Sequence, residues 1–397
     1  RFMNCQPGDN AVNLMAIIYK YFTADMMAYF LGISKEEADK TLKSISDWTF
    51  MKYHRNGDSF QLHDLVRDLV VKHVWPKIDS TGLMRQKYYQ KAVDYYEGMI
   101  SEVKKDLEKC LNEKKIADER GNQKQQYQTV HEMLTLKQQI RFFEIKKTYY
   151  DLMQDYNNAV MRYRYLFVDM VWARERGFYD LIREERNNAC VMLGKTYPEE
   201  YIRLEDARIL IVAEGQFDHG LKILNTAPLK DIKKEKDPIW YSLILLYRGI
   251  ALNYKGDVQQ SEMLLNECIQ VLKPSEISGT NIEHLQKLPV SRTLVRAYAN
   301  LGYMYLTSFR FTKSIESYKQ ALFYSKSCIG HEALSASIRN EIAFAYARFG
   351  KVGVARKLCK DGLRIREKLG QDYLTGLSYS MMGRVEYFHR RYEAGIR

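Results

Sequence analysis

Apolar residues recur every three or four positions along most of this chain, and the breaks in that rhythm mark out its elements. The first stripe, Val12, Met15, Ala16, Ile18 and Tyr19, predicts a helix over 10–21. Thr23 is placed to cap a second helix, Ala24 to Leu31, which Gly32 stops. Ser34 and Glu37 form the two ends of a capping box for a third helix. That helix runs to about Trp48, with Ala38, Leu42 and Ile45 on its inner face. The pattern then changes. Phe50–Tyr53 and Ser59–Leu62 flank a polar turn that contains Asn56-Gly57, which predicts a hairpin. A closing helix from His63 to His73 follows and ends at Trp75-Pro76. Two long helical stretches come next, from Leu83 to about Arg120 and from Gln125 to about Arg162, read as an antiparallel hairpin.

Beyond them, five short segments resemble one another: Gly177-Phe178-Tyr179, Gly215-Gln216-Phe217, Gly256-Asp257-Val258, Phe309-Arg310-Phe311 and Gly350-Lys351-Val352. Their first positions lie 38, 41, 53 and 41 residues apart, each between two helical runs. A period of this size marks helix pairs stacked in an array. In the 53-residue interval the polar stretch from Pro274 to Arg292 reads as an exposed loop. The unit starting at Val295, with Tyr298, Leu301, Gly302, Tyr305, Phe311, Ser314, Tyr318 and Ala321, resembles a tetratricopeptide repeat. The unit at Ala336 resembles it too, through Ile342, Ala343, Tyr346, Gly350, Val352, Ala355 and Gly362. The expected fold is mainly α, in three parts. Residues 1–78 form a winged helix-turn-helix, 79–162 a long helical hairpin, and 163–397 an α-solenoid of about six tetratricopeptide-like helix pairs, the last one truncated.

Composition supports a helical, folded chain: 22 Gly and only 7 Pro in 397 residues, with 46% apolar and 28% charged positions. The net charge of +12 is spread along the chain with acids interleaved, so it predicts no basic arm. The expected recognition helix, from Ser34 to Trp48, carries Lys35, Lys40 and Lys43 against Glu36, Glu37, Asp39 and Asp47. A net negative helix is a poor entrant to a DNA groove, so DNA binding is not expected. Six widely spaced cysteines without a C-x-x-C pair imply reduced, buried thiols and a cytoplasmic protein, with no metal site. No apolar run reaches membrane-spanning length, and no membrane association is expected. Neither a phosphate loop, G-x-S-x-G nor H-E-x-x-H occurs, so no catalytic residues and no enzyme activity are assigned to this stretch.

Leu62-His63-Asp64-Leu65-Val66-Arg67-Asp68-Leu69 is similar to the M-H-D-L-x-x-D-L segment that closes the winged-helix domain of STAND signal-transduction ATPases. The resemblance covers roughly residues 10 to 75, with Leu62 in place of the family's methionine. It implies that His63 reaches the β-phosphate of bound ADP in the resting state and that Asp64 supports the turn. Those roles need a nucleotide-binding domain, which the resemblance places before Arg1. This stretch is therefore expected to bind no cofactor by itself, and ADP or ATP would belong to the longer protein.

The tetratricopeptide resemblance places Asn253, Tyr254, Arg296, Tyr303, Asn340, Phe344, Arg348, Arg384 and Tyr387 on a concave wall. Arginine, asparagine and tyrosine there suit a protein or peptide ligand. The expected function is the sensing and regulatory part of a STAND-type ATPase. The array would bind a trigger, and the winged helix would relay it to the nucleotide-binding domain of the same chain, in transcription control, cell death or antiviral defence. Two alternatives stand beside it: a peptide-responsive transcription regulator, and a tetratricopeptide scaffold.

Overall fold

The computed structural model describes residues 7–18, 22–54, 59–120, 122–234, 238–273, 284–328, 331–368 and 372–388. Three helices open the chain: α1 (Pro7–Ile17), α2 (Ala24–Leu31) and α3 (Lys35–Ser46). Their ends are fixed locally. The Thr23 hydroxyl accepts from the Met26 N–H at 3.2 Å, Gly32 takes a left-handed φ of 69°, and the Ser34 hydroxyl accepts from the Glu37 N–H at 3.1 Å. Strands β1 (Met51–His54) and β2 (Ser59–Leu62) pair antiparallel with Met51 opposite Leu62; the Asn56-Gly57 turn lies outside the described residues. Order and type of these elements match the sequence expectation.

The closing helix differs. It runs as α4 (Asp64–Leu69), widens into a π-turn over Val70–Val74, and resumes as α5 (Trp75–Ile78). The Trp75 N–H reaches back five residues to Val70 O, just before Pro76, which has no N–H to continue the regular ladder. Pro76 thus sits inside the resumed helix rather than ending it. Trp75 is buried, and its indole N–H donates to Asn13 O at 3.0 Å.

Helices α6 (Leu83–Glu119) and α7 (Gln123–Gln154) follow. They are antiparallel: Glu97 pairs with Lys147 at 2.6 Å, and Tyr96 stacks on Tyr150 with centroids 5.8 Å apart. The second helix does not continue to Arg162. Asp155 interrupts it, its carboxylate accepting from the Asn158 N–H at 3.3 Å, and α8 (Tyr156–Trp172) starts there.

The remaining helices come in pairs: α8 with α9 (Arg176–Leu193), and α10 (Glu199–Arg208, extended by a π-turn to Ala213) with α11 (Phe217–Leu224). Then follow α12 (Pro238–Lys255) with α13 (Val258–Leu272), α14 (His284–Thr307) with α15 (Phe311–Ser325), α16 (His331–Arg348) with α17 (Val352–Lys368), and α18 (Asp372–Phe388). This is a mainly α chain whose second half is a tetratricopeptide-like array of helix pairs.

The turn inside each pair holds one left-handed residue: Arg174, Gly215, Gly256, Phe309 and Gly350. These positions are 41, 41, 53 and 41 residues apart. The first interval therefore corrects the sequence register, because Gly177 lies inside α9 and the turn residue is Arg174, at φ 58°. The following N–H closes each turn on the preceding helix, as Glu175 does on Met170 O (3.0 Å), Asp257 on Leu252 O (3.0 Å) and Lys351 on Tyr346 O (2.8 Å). The stretch up to Arg292 is corrected too. Its part from His284 onward is helix α14, with Arg292 held on Asp169, while 274–283 lie outside the described residues.

The chain forms two compact units. One holds residues 1–109, 134–163 and 180–195; the other holds 110–133, 164–179 and 196–397. In the first, Ala11, Leu14, Met26, Leu42, Leu62 and Trp75 are buried, and a Lys146–Glu185 ion pair is buried as well. In the second, Leu204, Leu245, Tyr247, Leu265, Leu294 and Met304 share one core.

Candidate functional site

Two regions carried the sequence expectations, and they differ in character. At the first, His63 is the N-cap of α4, and its Nδ1 accepts from the Leu65 N–H at 3.4 Å. Asp64, also exposed, lies 3.7 Å from the Arg67 guanidinium, which also bonds Asp68 at 3.1 Å. The pair thus organises a helix start. Leu65 and Leu69 on the same helix are exposed. In α3, Lys43 pairs with Asp39 at 2.5 Å and Lys35 with Asp25 at 2.8 Å, so two of its three lysines are already matched to acids.

The second region lies along the first helices of the repeat pairs. Tyr254, near the end of α12, stacks on Phe217 with centroids 4.8 Å apart and planes 3° from parallel. Tyr303 of α14 continues the row at 6.2 Å. Tyr254 is 56% exposed and Tyr303 41%. Partial burial pushes the Tyr254 phenol above its ordinary value, with Tyr303 adding to it. Rings stacked face to face and open to solvent present a flat apolar surface with hydroxyls at its edge.

Further along, Arg348 lies over Phe309 at 4.8 Å and Phe311 at 5.6 Å, and Arg384 over Phe344 at 5.8 Å. Phe344 also meets Phe388 at 5.8 Å, and Tyr387 is exposed beside it. Asn340 is different: it is buried, and its amide donates to the Ser378 hydroxyl at 2.8 Å, so it joins α16 to α18. Asn253 is half-buried, with its amide nitrogen unpaired. The structure thus brings together Tyr254 and Tyr303, sets Phe344, Arg384 and Tyr387 near one another, and withdraws Asn340 into packing.

The sequence reading missed several residues of the same array, of which Glu341 and Tyr318 lie near Tyr254. Glu341 is largely enclosed; burial pushes its carboxyl up, and the Tyr318 hydroxyl donates to it at 3.4 Å. Arg164 lies 3.5 Å from the Tyr201 ring centre and 5.4 Å from that of Trp240, and it donates to the Tyr197 hydroxyl at 3.3 Å. Arg296, which the repeat register expected on the concave wall, lies 3.8 Å over Trp172 of α8, and Arg292, which was not expected, is ion-paired with Asp169. The signal in the sequence was the i,i+4 spacing of Arg292 and Arg296 and the i,i+3 spacing of Asp169 and Trp172, each on one helix face. Among the described residues no group of three or more His, Cys, Asp or Glu side chains is placed to hold a metal, and no helix is long and apolar enough to cross a membrane.

No family model matches the chain, and no curated protein does. Among solved structures, one match is a Signal Transduction ATPase with Numerous Domains that has a tetratricopeptide repeat sensor, from Pyrococcus horikoshii. Identity is 12% and the TM-score 0.33, over 99% of this chain. The chain spans 62% of that protein's length. The repeat assignment therefore rests on the helices and turns described above.

Proposed function

We propose that this chain is the sensing and regulatory part of a STAND-type signalling ATPase. Its array takes a protein or peptide trigger, and its N-terminal domain, in the role of a winged helix, relays the event to a nucleotide-binding domain. The observation that carries the reading is the open Phe217–Tyr254–Tyr303 row, because exposed stacked aromatics spanning successive units are suited to an extended partner. Arg348 and Arg384 at the other end of the array add guanidiniums for backbone carbonyls and carboxylates. The relay rests on the resemblance at Leu62–Leu69. His63 caps α4 through Nδ1, which leaves Nε2 to donate to a phosphate oxygen once a nucleotide is brought against that exposed helix start. ADP or ATP would be held by that other domain. Any ATP hydrolysis would belong to it as well.

Binding on the array shifts the switch only if the trigger prefers one arrangement of the array over another. The test uses the protein together with its nucleotide-binding domain. His63→Ala should lower ADP retention and raise assembly without trigger, and Tyr254→Ser with Tyr303→Ser should abolish the response to trigger while leaving folding intact. Unchanged ADP retention in the first variant would remove the relay. A full response in the second would remove the sensing face.

A further inference from the structure

Two turns of the array carry more than a turn needs. Phe309, between α14 and α15, holds the left-handed conformation at φ 60°, the place that Gly215, Gly256 and Gly350 take in their own pairs. A side chain with a Cβ is unfavourable there, and a bulky one more so. The ring gains little burial in return, since it is 68% exposed. Phe349 is 44% exposed, and it precedes Gly350 where the other pairs have Ala173, Glu214, Lys255 and Ser308. The repeat thus asks for neither aromatic.

The structure brings the two together. Phe311 lies between them, 6.2 Å from Phe309 with planes at 76°, and 6.2 Å from Phe349 with planes at 46°. It is half-buried against the small core of Leu306, Ile315 and Ala345. The three rings are tilted against one another, unlike the parallel Phe217 and Tyr254. They therefore make a notch for one side chain and not a platform for flat bases. Cations stand over the rings: Arg348 over Phe309 and Phe311, and Lys351 over Phe349 at 5.5 Å. Among the described residues no carboxylate pairs with either, whereas nearby Arg310 is matched to Glu262 at 3.1 Å.

We propose that Phe309, Phe311 and Phe349, with Arg348 and Lys351, form a docking notch for an acidic polypeptide segment that carries one large apolar side chain. The apolar side chain packs beside the exposed Phe309 and Phe349 rings, and carboxylates flanking it meet Arg348 and Lys351. The unfavourable backbone at Phe309 is then explained by what its ring binds and not by folding. That the segment belongs to the trigger rests on the sensing role proposed above; the notch itself does not.

The test is calorimetric titration of the full chain with three acetylated, amidated peptides: Asp-Glu-Trp-Glu-Asp, the same peptide with serine for tryptophan, and Lys-Arg-Trp-Arg-Lys. The first should bind, and more weakly as salt rises. The serine peptide should bind about tenfold more weakly or worse, and the basic one not at all. Phe309→Gly should weaken the first peptide by about tenfold or more, and yet hold or raise the thermal midpoint, because glycine suits a left-handed turn. Lys351→Glu should weaken it as well. No binding of the first peptide, equal binding of the serine or basic peptide, undiminished binding by either variant, or a lower midpoint in Phe309→Gly would each overturn the notch. So would displacement of the peptide by a single-stranded oligonucleotide, or self-association of the chain that Phe309→Gly abolishes, which would assign the rings to nucleic acid or to a second copy. Failure of the sensing role is told apart, because it is read through the trigger response of the Tyr254 and Tyr303 variants, which leave the notch intact.

Discussion

The Ser314 hydroxyl donates to the carbonyl of Gly302 at 2.8 Å, across the two helices of one repeat pair. Ser261 makes the same bond to Gly249, also at 2.8 Å, in the pair before. Helices that bond backbone to side chain in this way must lie close, and the glycine is what lets them. A Cβ on Gly302 would stand 2.8 Å from the Tyr318 ring, itself fully buried. Gly302→Ala should therefore destabilise by about 1–3 kcal/mol through overpacking, despite the better helix propensity of alanine. Urea unfolding measures it. A stabilised variant would show that Tyr318 yields freely.

The buried Lys146–Glu185 pair in the other compact unit makes a second case. Removing one partner strands the other charge, so Lys146→Met should cost about 3–5 kcal/mol. Replacing Glu185 with leucine as well should recover most of that loss. If the double variant is as unstable as the single one, charge stranding is not the reason.

Asp79 holds the start of α6. Its carboxylate accepts from the N–H groups of Met84 (3.2 Å) and Arg85 (2.9 Å) and from the Arg85 guanidinium (3.3 Å). Burial alone would raise its carboxyl, but these donors outweigh it and hold the group below its ordinary value. A lowered folded value means that the unfolded chain takes up the proton first. The stabilisation is thus complete above the unfolded value near 3.9 and is lost as pH falls through the folded one. Asp79→Ala should cost about 1–2 kcal/mol at pH 7, and its gap to the native chain should shrink in acid below about pH 4. A gap independent of pH would place the effect elsewhere.

Cys359 is enclosed between α17 and its neighbours, and burial, with the Glu386 charge adding to it, pushes its thiol up to about 12. The thiolate is the reactive form. Iodoacetamide at pH 8 should leave Cys359 unmodified in the folded chain and label it in urea, as read by peptide mass. Burial pushes Cys268 up still further, and it should behave alike. Prompt labelling of either in the folded state would show local opening.

What could be read from the sequence was what is settled within a few residues. The caps at Thr23 and Ser34, the stop at Gly32 and the turns at Gly215, Gly256 and Gly350 all depend on short-range hydrogen bonds and φ, and each fell where expected. Gly177 misled because glycine is the usual left-handed residue, whereas Arg174 occupies that conformation three residues earlier. The π-turns at Val70–Val74 and Ile209–Ala213 leave no such signature. Of the candidate face, Tyr254 and Tyr303 followed from the repeat register. Asp169 and Arg292 meet across 123 residues of chain, and no local pattern announces that. Reading Arg292 as the end of a loop hid it further.

The longer interval between Gly256 and Phe309 has a mechanical side. Repeat positions equivalent to Arg292 are Ile239 in α12 and Ala333 in α16, and both lie in the opening turn of their helix, where ends fray. Helix α14 begins at His284, about two turns earlier relative to its own left-handed residue. Those extra turns anchor the backbone beneath both arginines from two directions. Entropy that a frayed end would keep has been given up during folding, so the contacts of Arg292 with Asp169 and of Arg296 with Trp172 rest on a turn that is already ordered.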